Sequence, residues 1–148
     1  TASSFDTSAG KTVTAFMAQG NSNYATAIVG TVSGTSISFG SAVVFRSANT
    51  QEFAPVYDTN ANKTVIVYRE SSVAGAGEGI VGTVSGTSIS FGTAVQFDTS
   101  PVTEVRGAFD PDSNQIICAY TKVTAKVVLG TVSGTSIMAF ATILKRIK

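Results

Sequence analysis

The sequence predicts an all-β protein built from three copies of one repeated unit. The phrase Gly-Thr-Val-Ser-Gly-Thr-Ser-Ile begins at Gly30, Gly82 and Gly130, so successive copies follow at intervals of 52 and 48 residues. A fixed period of this length indicates a repeat architecture. Valine, isoleucine, threonine, serine, glycine and phenylalanine dominate the composition, which is typical of strands and turns, and no segment shows a helical period.

The repeated unit extends beyond this phrase. Phe5-Asp6 aligns with Tyr57-Asp58 and with Phe109-Asp110, at a spacing of 52 residues in each case. The shorter second interval of the phrase indicates that four residues are missing between Tyr120 and Gly130. The predicted units cover residues 1–45, 53–97 and 105–145 of a chain of 148 residues, which is expected to form one domain.

Each unit divides into four short extended runs, which in the second unit are residues 53–57, 63–70, 80–84 and 87–97. Turns with Asn and Gly separate the runs, because these residues tolerate the backbone angles of tight turns. A loop is expected at 71–79, and Gly92 predicts a bend within the fourth run. Pro55 favours an edge position for the first run, since proline cannot donate a hydrogen bond to a neighbouring strand.

The third unit departs from the repeat after Ile137, where Met138-Ala139-Phe140-Ala141 replaces Ser-Phe-Gly. The regularity of its fourth strand is therefore not predicted, and residues 139–148 could either fray or form a short turn. In the two intact copies Phe39 and Phe91 close an apolar series of side chains. Both rings are therefore predicted to be buried between units.

Four antiparallel strands per unit of this length are typical of a β-propeller blade. The sequence also resembles the blade-type repeats, written G-T-V-S-G-T-S-I-S-F-G, of tail-fibre-like β-propeller proteins of marine phages and metagenomes. Residues 30–40 and 82–92 carry this phrase intact, and the resemblance spans nearly the whole chain. It implies a propeller fold and a virion or extracellular location, and it brings no known active site.

Propellers typically have four to eight blades, so three blades would leave the ring open. Two copies would give six blades and cover the open edges, and a two-fold dimer is the commonest closed assembly. We therefore expect residues 1–148 to be half of a six-bladed homodimeric ring. The alternative is that they are a fragment of a longer chain with six or more blades.

Composition argues against several function classes. The formal net charge is +1 and only 13% of the residues are charged, whereas proteins that bind nucleic acids or membrane surfaces carry basic patches. The short basic tail at 145–148 is expected to be solvated, and no apolar run approaches the roughly 20 residues of a membrane span. The chain has no histidine, the commonest general base, and its single cysteine, Cys118, is expected to be a small buried hydrophobic residue. No enzymatic activity, catalytic residue or cofactor is predicted.

Two acidic turns are similar to the start of a calcium loop, namely Asp58-x-Asn60-x-Asn62 and Asp110-x-Asp112-x-Asn114. Both lack the glycine and the glutamate that complete such a loop. Asx turns are the simpler interpretation, so no metal site is predicted. The glycine-rich stretch 75–79 lacks the helix and the lysine of a phosphate-binding loop, and a flexible connection is expected there.

The connections between runs fall into two sets on opposite faces of the predicted propeller. The turns after the first and third runs repeat almost unchanged, whereas the loops after the second and fourth runs differ in every unit. Because loops on a rigid scaffold often carry binding residues, a binding face is expected on this varied-loop face, around the mouth of the axial channel. The alternative is that these loops vary without a function. The predicted ligand-binding residues are Tyr24, Arg46, Glu52, Arg69, Glu70, Glu104 and Arg106.

Arg106 differs from its equivalents, because Ala2 and Ala54 occupy the same position in the other units. On the run nearest the axis an arginine would project into or near the channel, where it could bind an anion or a carboxylate. A salt bridge with Glu52 or Glu104 is the alternative.

Three hypotheses describe the function. The first is a lectin-like or adhesive module for a glycan or a surface polymer, supported by the varied loops and the tail-fibre resemblance, although Tyr24 is nearly the only ring on that face for stacking on a sugar. The second is a structural or assembly domain with no ligand of its own. The third, a glycan hydrolase, would need paired carboxylates around the channel, and no spacing in the sequence marks such a pair.

Overall fold

The structure, a computed structural model, describes residues 1–72 and 74–142 and confirms the all-β prediction. This part of the chain contains no helix, and hence none long and apolar enough to cross a membrane. The strands are β1 Ala2–Asp6, β2 Lys11–Ala18, β3 Tyr24–Ser33, β4 Ser36–Phe39, β5 Val43–Asp58, β6 Lys63–Glu70, β7 Ala76–Ser85, β8 Ser88–Phe91, β9 Val95–Asp98, β10 Thr103–Asp110, β11 Gln115–Thr121, β12 Ala125–Ser133 and β13 Ser136–Thr142.

The strands follow one another as three antiparallel meanders. In the first unit β1, β2 and β3 are neighbours, and β3 also pairs with β4 and with the first part of β5. In the second unit the rest of β5 pairs with β6, β6 with β7, and β7 with β8 and β9. Strands β10 to β13 form the third unit as a separate four-stranded sheet. The sheet that contains β1 to β4 is curled like half of a barrel.

Strand β5 joins the first two units without a loop. Its residues up to Asn49 pair with β3, and its residues from Thr50 pair with β6. The loop predicted between the first two units is therefore wrong, because the chain stays extended there. The change of partner after Asn49 falls between the predicted units 1–45 and 53–97. Pro55 lies in the part of β5 that pairs with β6 alone, so its predicted edge position is confirmed.

The fourth strand of the second unit is interrupted after Phe91. The bend predicted at Gly92 is confirmed, but the single strand predicted over 87–97 is wrong, because β8 ends there and β9 begins at Val95. A side chain at Gly92 would place its Cβ 1.8 Å from the Thr135 carbonyl oxygen, so the close approach of the third unit requires glycine. The loop predicted over 71–79 is shorter than expected, because β7 begins at Ala76.

The third unit keeps a regular fourth strand as far as the structure describes it. Strand β13 pairs with β12 through Thr142, and a register shift between Leu129 and Thr131 absorbs one extra residue. Phe140 therefore lies against Gly130 as Phe91 lies against Gly82 in the second unit. The basic tail at 145–148 and the predicted end of the unit at 145 lie outside the described residues.

The first turn of each unit confirms the Asx interpretation. Asp58 Oδ1 accepts hydrogen bonds from the N–H groups of Asn60 and Ala61, at 2.9 and 2.8 Å, and Asp6 and Asp110 bond their own turns in the same way. Each turn ends in a left-handed residue with φ of 63°, 54° and 54°, a conformation that glycine and asparagine tolerate best. These residues are Gly10, Asn62 and Asn114.

The units pack face against face, and alternate residues along each strand point to opposite faces. We call the face that each unit turns towards the following unit its back face, and the opposite one its front face. The first seam joins the back face of the first unit, which carries Val13, Ala15, Ala25, Ala27 and Val29, to the front face of the second, which carries Ile66, Tyr68, Ile80 and Ile89. The second seam joins Val65, Val67 and Val81 of the second unit to Cys118, Tyr120, Val128 and Ile137 of the third.

The burial predicted for Phe39 and Phe91 is found in part for Phe91 and is not found for Phe39. Phe91 is half-buried and packs against the first seam. Phe39 is 55% exposed, so the prediction that its ring is buried is wrong within this chain. The reason is that Phe39 lies on the front face of the first unit, on which no other unit packs in the part of the chain that the structure describes.

Candidate functional site

The first strands of the three units border a common hollow of about 410 Å³. Its walls come from the beginnings of β1 and β10 and from the second part of β5, which is the end of the units where the varied loops lie. Ala2, Ala54 and Arg106, the three equivalent residues singled out in the sequence, all line it. The hollow is therefore shared by all three units.

Arg106 is exposed at this hollow, and its guanidinium donates a hydrogen bond to the Val105 carbonyl oxygen at 2.9 Å. Among the residues that the structure describes, no carboxylate lies within ion-pair distance of it. The salt bridge with Glu52 or Glu104, the alternative drawn from the sequence, is thus not formed. The positive charge of Arg106 therefore faces the hollow without an ion-pair partner among the described residues.

Glu52 and Glu104 are equivalent residues with the same unusual backbone. Both have positive φ, 57° and 55°, where non-glycine residues are strained, and each lies at a register shift of its sheet. Glu52 accepts a hydrogen bond from the Val105 N–H at 3.1 Å and forms an ion pair with Arg69 at 3.6 Å. Glu104 accepts a hydrogen bond from the Thr121 hydroxyl at 2.9 Å. The strained backbone thus places Glu52 at the hollow, whereas Glu104 lines a second cavity that Arg106 also borders.

Arg46 and Glu70 lie instead in a polar cluster at the first seam. The Arg46 guanidinium is 2.8 Å from Glu78 Oε1 and 4.0 Å from Glu70 Oε2. The Tyr68 hydroxyl donates a hydrogen bond to Glu78 Oε2 at 2.8 Å. Glu70 is fully buried and accepts hydrogen bonds from both the N–H and the hydroxyl of Ser72. Arg46 therefore links the first unit to buried carboxylates of the second.

Burial raises the pKa of the Tyr68 hydroxyl well above its ordinary value, and the neighbouring charge of Glu78 raises it further. The hydroxyl therefore stays protonated and keeps its hydrogen bond to Glu78 at neutral pH. Burial raises the pKa of the Cys118 thiol to about 12, which leaves the thiol protonated and unreactive. Its predicted burial is confirmed, at 0% exposure.

The second seam has a related cluster with its charges reversed. Asp98, the equivalent of Arg46, accepts hydrogen bonds from the Tyr120 hydroxyl at 3.1 Å and from Lys122 at 3.2 Å. Lys122 is the equivalent of Glu70. Burial acts to raise the pKa of the Asp98 carboxyl, but hydrogen bonds from the Ser100 N–H, Lys122 and Tyr120 together hold that pKa below its ordinary value.

The structure thus divides the predicted ligand-binding residues into two groups. Glu52, Arg69, Glu104 and Arg106 lie near the starts of the first strands, whereas Arg46 and Glu70 belong to the first seam. Tyr24 is half-buried at the start of β3 and pairs with Asn49 across the sheet. Sequence reasoning missed the roles of Tyr68 and Glu78. The repeat alignment carried a signal, because charged residues replace Thr26 at its equivalents Glu78 and Lys126.

The described residues contain no group of three or more His, Cys, Asp or Glu side chains that could hold a metal ion. Comparisons of the chain with protein-family models, with curated proteins and with solved structures find no match.

Proposed function

We propose that the chain is a non-enzymatic binding module, half of a six-bladed β-propeller, that takes an acidic glycan or surface polymer at the hollow between its first strands. The observation that carries this proposal is the exposed Arg106 guanidinium, which faces a hollow shared by all three units without an ion pair among the described residues. An arginine in this setting suits a carboxylate or sulfate group, to which it can donate two parallel hydrogen bonds.

Three features support the propeller. The units are four-stranded meanders that pack face to face, and their first strands border one hollow. Strand β5 runs from the last strand of the first unit to the first strand of the second, the passage that leads from rim to axis in a propeller. Three such units fill half of a six-bladed ring, and a second copy would supply the rest.

Side-chain polar atoms without a hydrogen-bond partner also lie at the varied-loop end, beneath its surface. Buried polar groups in proteins nearly always have a hydrogen-bond partner. Five side-chain atoms of the described residues at this end are buried without one, on Arg46, Asn49, Thr50, Arg69 and Ser71. Glu52, Arg69 and Glu104 would contact the polar groups of the ligand around Arg106, while Arg46 and Glu70 hold the first seam beneath them.

The test is a thermal-shift titration with two defined polymers, alginate oligomers as the polyuronate and dextran oligomers as the neutral glycan. We expect alginate to raise the Tm of the wild type and to lose most of this effect on Arg106→Ala. Lys11→Ala is the matched control, because it removes one positive charge at the opposite, repeated-turn end. Equal alginate shifts for the wild type and Arg106→Ala would overturn the axial site.

A purely structural domain is the second candidate, and the ion pairs favour it. Arg46 with Glu78 and Arg69 with Glu52 bind charged groups of the varied-loop face to one another, which leaves fewer of them for a ligand. In that case neither alginate nor dextran should shift the Tm of the wild type.

A further inference from the structure

Exposed large hydrophobic side chains are concentrated on one surface of the described chain. Exposed apolar patches of this kind mark interaction sites in soluble proteins. Cross-strand pairing places Phe5 opposite Thr12 and Val44 opposite Thr26, on the same front face of the first unit as Ile37 and Phe39. The members of this patch are Phe5, Val32, Ile37, Phe39 and Val44.

The position of Ile37 is covered in each of the other two units. Ile37 is 48% exposed, whereas its equivalents Ile89 and Ile137 are 3% and 4% exposed. These two residues are covered because the preceding unit packs on their front faces, in the first and second seams respectively. The front face of the first unit therefore has the composition of a seam and lacks the unit that would cover it.

Each internal seam contains the same three aromatic rings. Phe45 contributes one ring from the preceding unit, and its centroid lies 5.4 Å from that of Tyr68 and 5.0 Å from that of Phe91 of the following unit. In the second seam Phe97 lies 5.1 Å from Tyr120 and 5.2 Å from Phe140. The first unit offers Phe16 and Phe39 at the equivalent front-face positions.

A complementary hollow lies on the opposite end of the chain. The back face of the third unit contains a cavity of about 390 Å³. Its apolar wall is formed by Ala119, Ala125 and Val127, and the charged residues Glu104, Arg106 and Lys126 also line it. Their equivalents in the first unit are Ala15, Ala25 and Ala27, which are fully buried in the cluster that also contains Tyr68. The hollow is thus the place where the aromatic ring of a following unit would sit.

The polar groups show which ring fits this hollow. Tyr68 and Tyr120 each need an acceptor for a buried hydroxyl and find one in Glu78 and Asp98. Phe16 has no hydroxyl and needs none. Around Phe16 the first unit also carries Ala18 and Thr26 where the second carries Glu70 and Glu78. The front face of the first unit therefore matches the apolar wall of the hollow, because Phe16 needs no hydrogen-bond acceptor there.

We infer that the front face of the first unit docks on the back face of the third unit of a second copy, with Phe16 in the hollow lined by Ala119, Ala125 and Val127. The two copies make this contact twice, head to tail, about a two-fold axis. The inference rests on the proposed ring and assigns the residues that close it.

The closing seam also differs from the internal seams at the bend of the fourth strand. Gly40 and Gly92 each approach a backbone carbonyl of the next unit so closely that a Cβ would lie 1.8 Å from it. Gly92 bonds to Val81, and Ala141 pairs with Leu129, which is the equivalent of Val81 in the third unit. Alanine therefore occupies in the third unit the position that glycine holds in the first two. The closing seam is therefore wider there, and the dimer should dissociate before the units of one chain separate.

Charge substitutions on the two faces test this assignment. Phe16→Lys places a charge on the front face and Ala119→Glu places one in the hollow, and the double variant brings the two opposite charges together at both seams. Val123→Lys is the control, because Val123 is 93% exposed in a turn outside both faces. The mass is followed by light scattering over a micromolar dilution series against the chain mass of 15.1 kDa, with circular dichroism to verify folding.

We expect the wild type and Val123→Lys to have twice the chain mass, each single variant to weaken the dimer at least tenfold, and the double variant to regain most of the loss. If Phe16→Lys abolishes the dimer while Ala119→Glu leaves it intact, the two copies meet front to front and the head-to-tail seam is overturned. The seam is equally overturned if both single variants stay dimeric, or if the double variant is no tighter than either. Arg106 lines the hollow of the third unit as well as the axial one, so the two proposals are separated with Phe16→Lys, which lies on the other face. A Phe16→Lys protein that is still dimeric overturns the seam alone, and one whose alginate shift no longer depends on Arg106 overturns the axial site alone.

Discussion

At the scale of single residues, the seams owe their specificity to a few buried polar contacts. A buried carboxylate is costly unless it is paired and hydrogen-bonded. Glu78 meets this condition through Arg46 and the Tyr68 hydroxyl, and Asp98 meets it through Lys122 and the Tyr120 hydroxyl. Because the charges are reversed between the two seams, exchanging one unit for another would leave like charges or unpaired groups in contact.

Tyr68→Phe should lower the free energy of unfolding by about 1–3 kcal/mol, the cost of leaving a buried acceptor without its donor. The ring itself is retained, so the loss reports the hydroxyl bond to Glu78 and not the packing. Tyr24→Phe is the control, because the structure shows no hydrogen bond to the Tyr24 hydroxyl among the described residues, and its effect should be close to zero. Urea unfolding measures both, and equal effects would contradict the role of the Glu78 bond.

The stability of the second seam should depend on pH through Asp98. Its pKa is lowered in the folded chain, so its contribution is present above the unfolded value of about 3.9 and is lost as the pH falls through the folded value. The free energy of unfolding should therefore fall on acidification below about pH 4. Asp98→Asn should be less stable than the wild type at pH 7 and show a smaller fall. Parallel curves for the two proteins down to pH 2 would exclude this contribution.

At the scale of elements, the bends in the fourth strands allow neighbouring units to approach. The N–H groups of Gly40 and Gly92 bond to the carbonyl oxygens of Val29 and Val81, both at 2.9 Å, while the next unit contacts each glycine on its open side. A strand continued straight through this point would separate the sheets. The interrupted fourth strand is thus a condition of face-to-face packing.

Gly92→Ala should destabilise the chain by about 1–3 kcal/mol or more, because its Cβ would overlap the Thr135 carbonyl and force the second and third units apart. Gly20→Ala is the matched control, since no atom lies within 4 Å of a Cβ built there. Thermal unfolding of the two variants gives the comparison. A Gly92→Ala protein as stable as Gly20→Ala would mean that the units do not pack this closely.

At the scale of the whole molecule, equivalent residues differ because of where their unit lies in the chain. Phe39 and Phe91 belong to identical phrases, yet Phe39 is 55% exposed and Phe91 is packed in the first seam. The repeat fixes the face on which a ring lies, and the neighbouring unit decides whether that ring is buried.

Phe91→Ala should therefore destabilise the chain itself, by up to about 3–5 kcal/mol as for a buried phenylalanine. Phe39→Ala should leave the unfolding of the monomer nearly unchanged and weaken the dimer instead. Denaturant unfolding at low concentration and light scattering at high concentration separate the two effects. The proposed contact between the front face of the first unit and a second copy would be refuted if the Phe39→Ala dimer were as tight as that of the wild type.

The repeat by itself determined the all-β class, the three units, the Asx turns, the bend at Gly92 and the burial of Cys118. These are local consequences of residue type and period, because a strand pattern or a turn residue acts through its own backbone. Arg106 could likewise be singled out from the alignment, and the structure places it at the hollow where its alanine equivalents lie.

Only the tertiary structure decided where β5 changes partner, which faces meet and which charges are paired. The loop expected between the first two units is instead part of β5, because the chain stays extended there and no residue marks the exchange of one neighbouring strand for another. The Arg46–Glu78 pair joins residues 32 apart in sequence, and the exposure of Phe39 follows from the unit that its face lacks. Contacts between units depend on how whole sheets pack, and a local pattern within one unit carries no information about the sheet beside it.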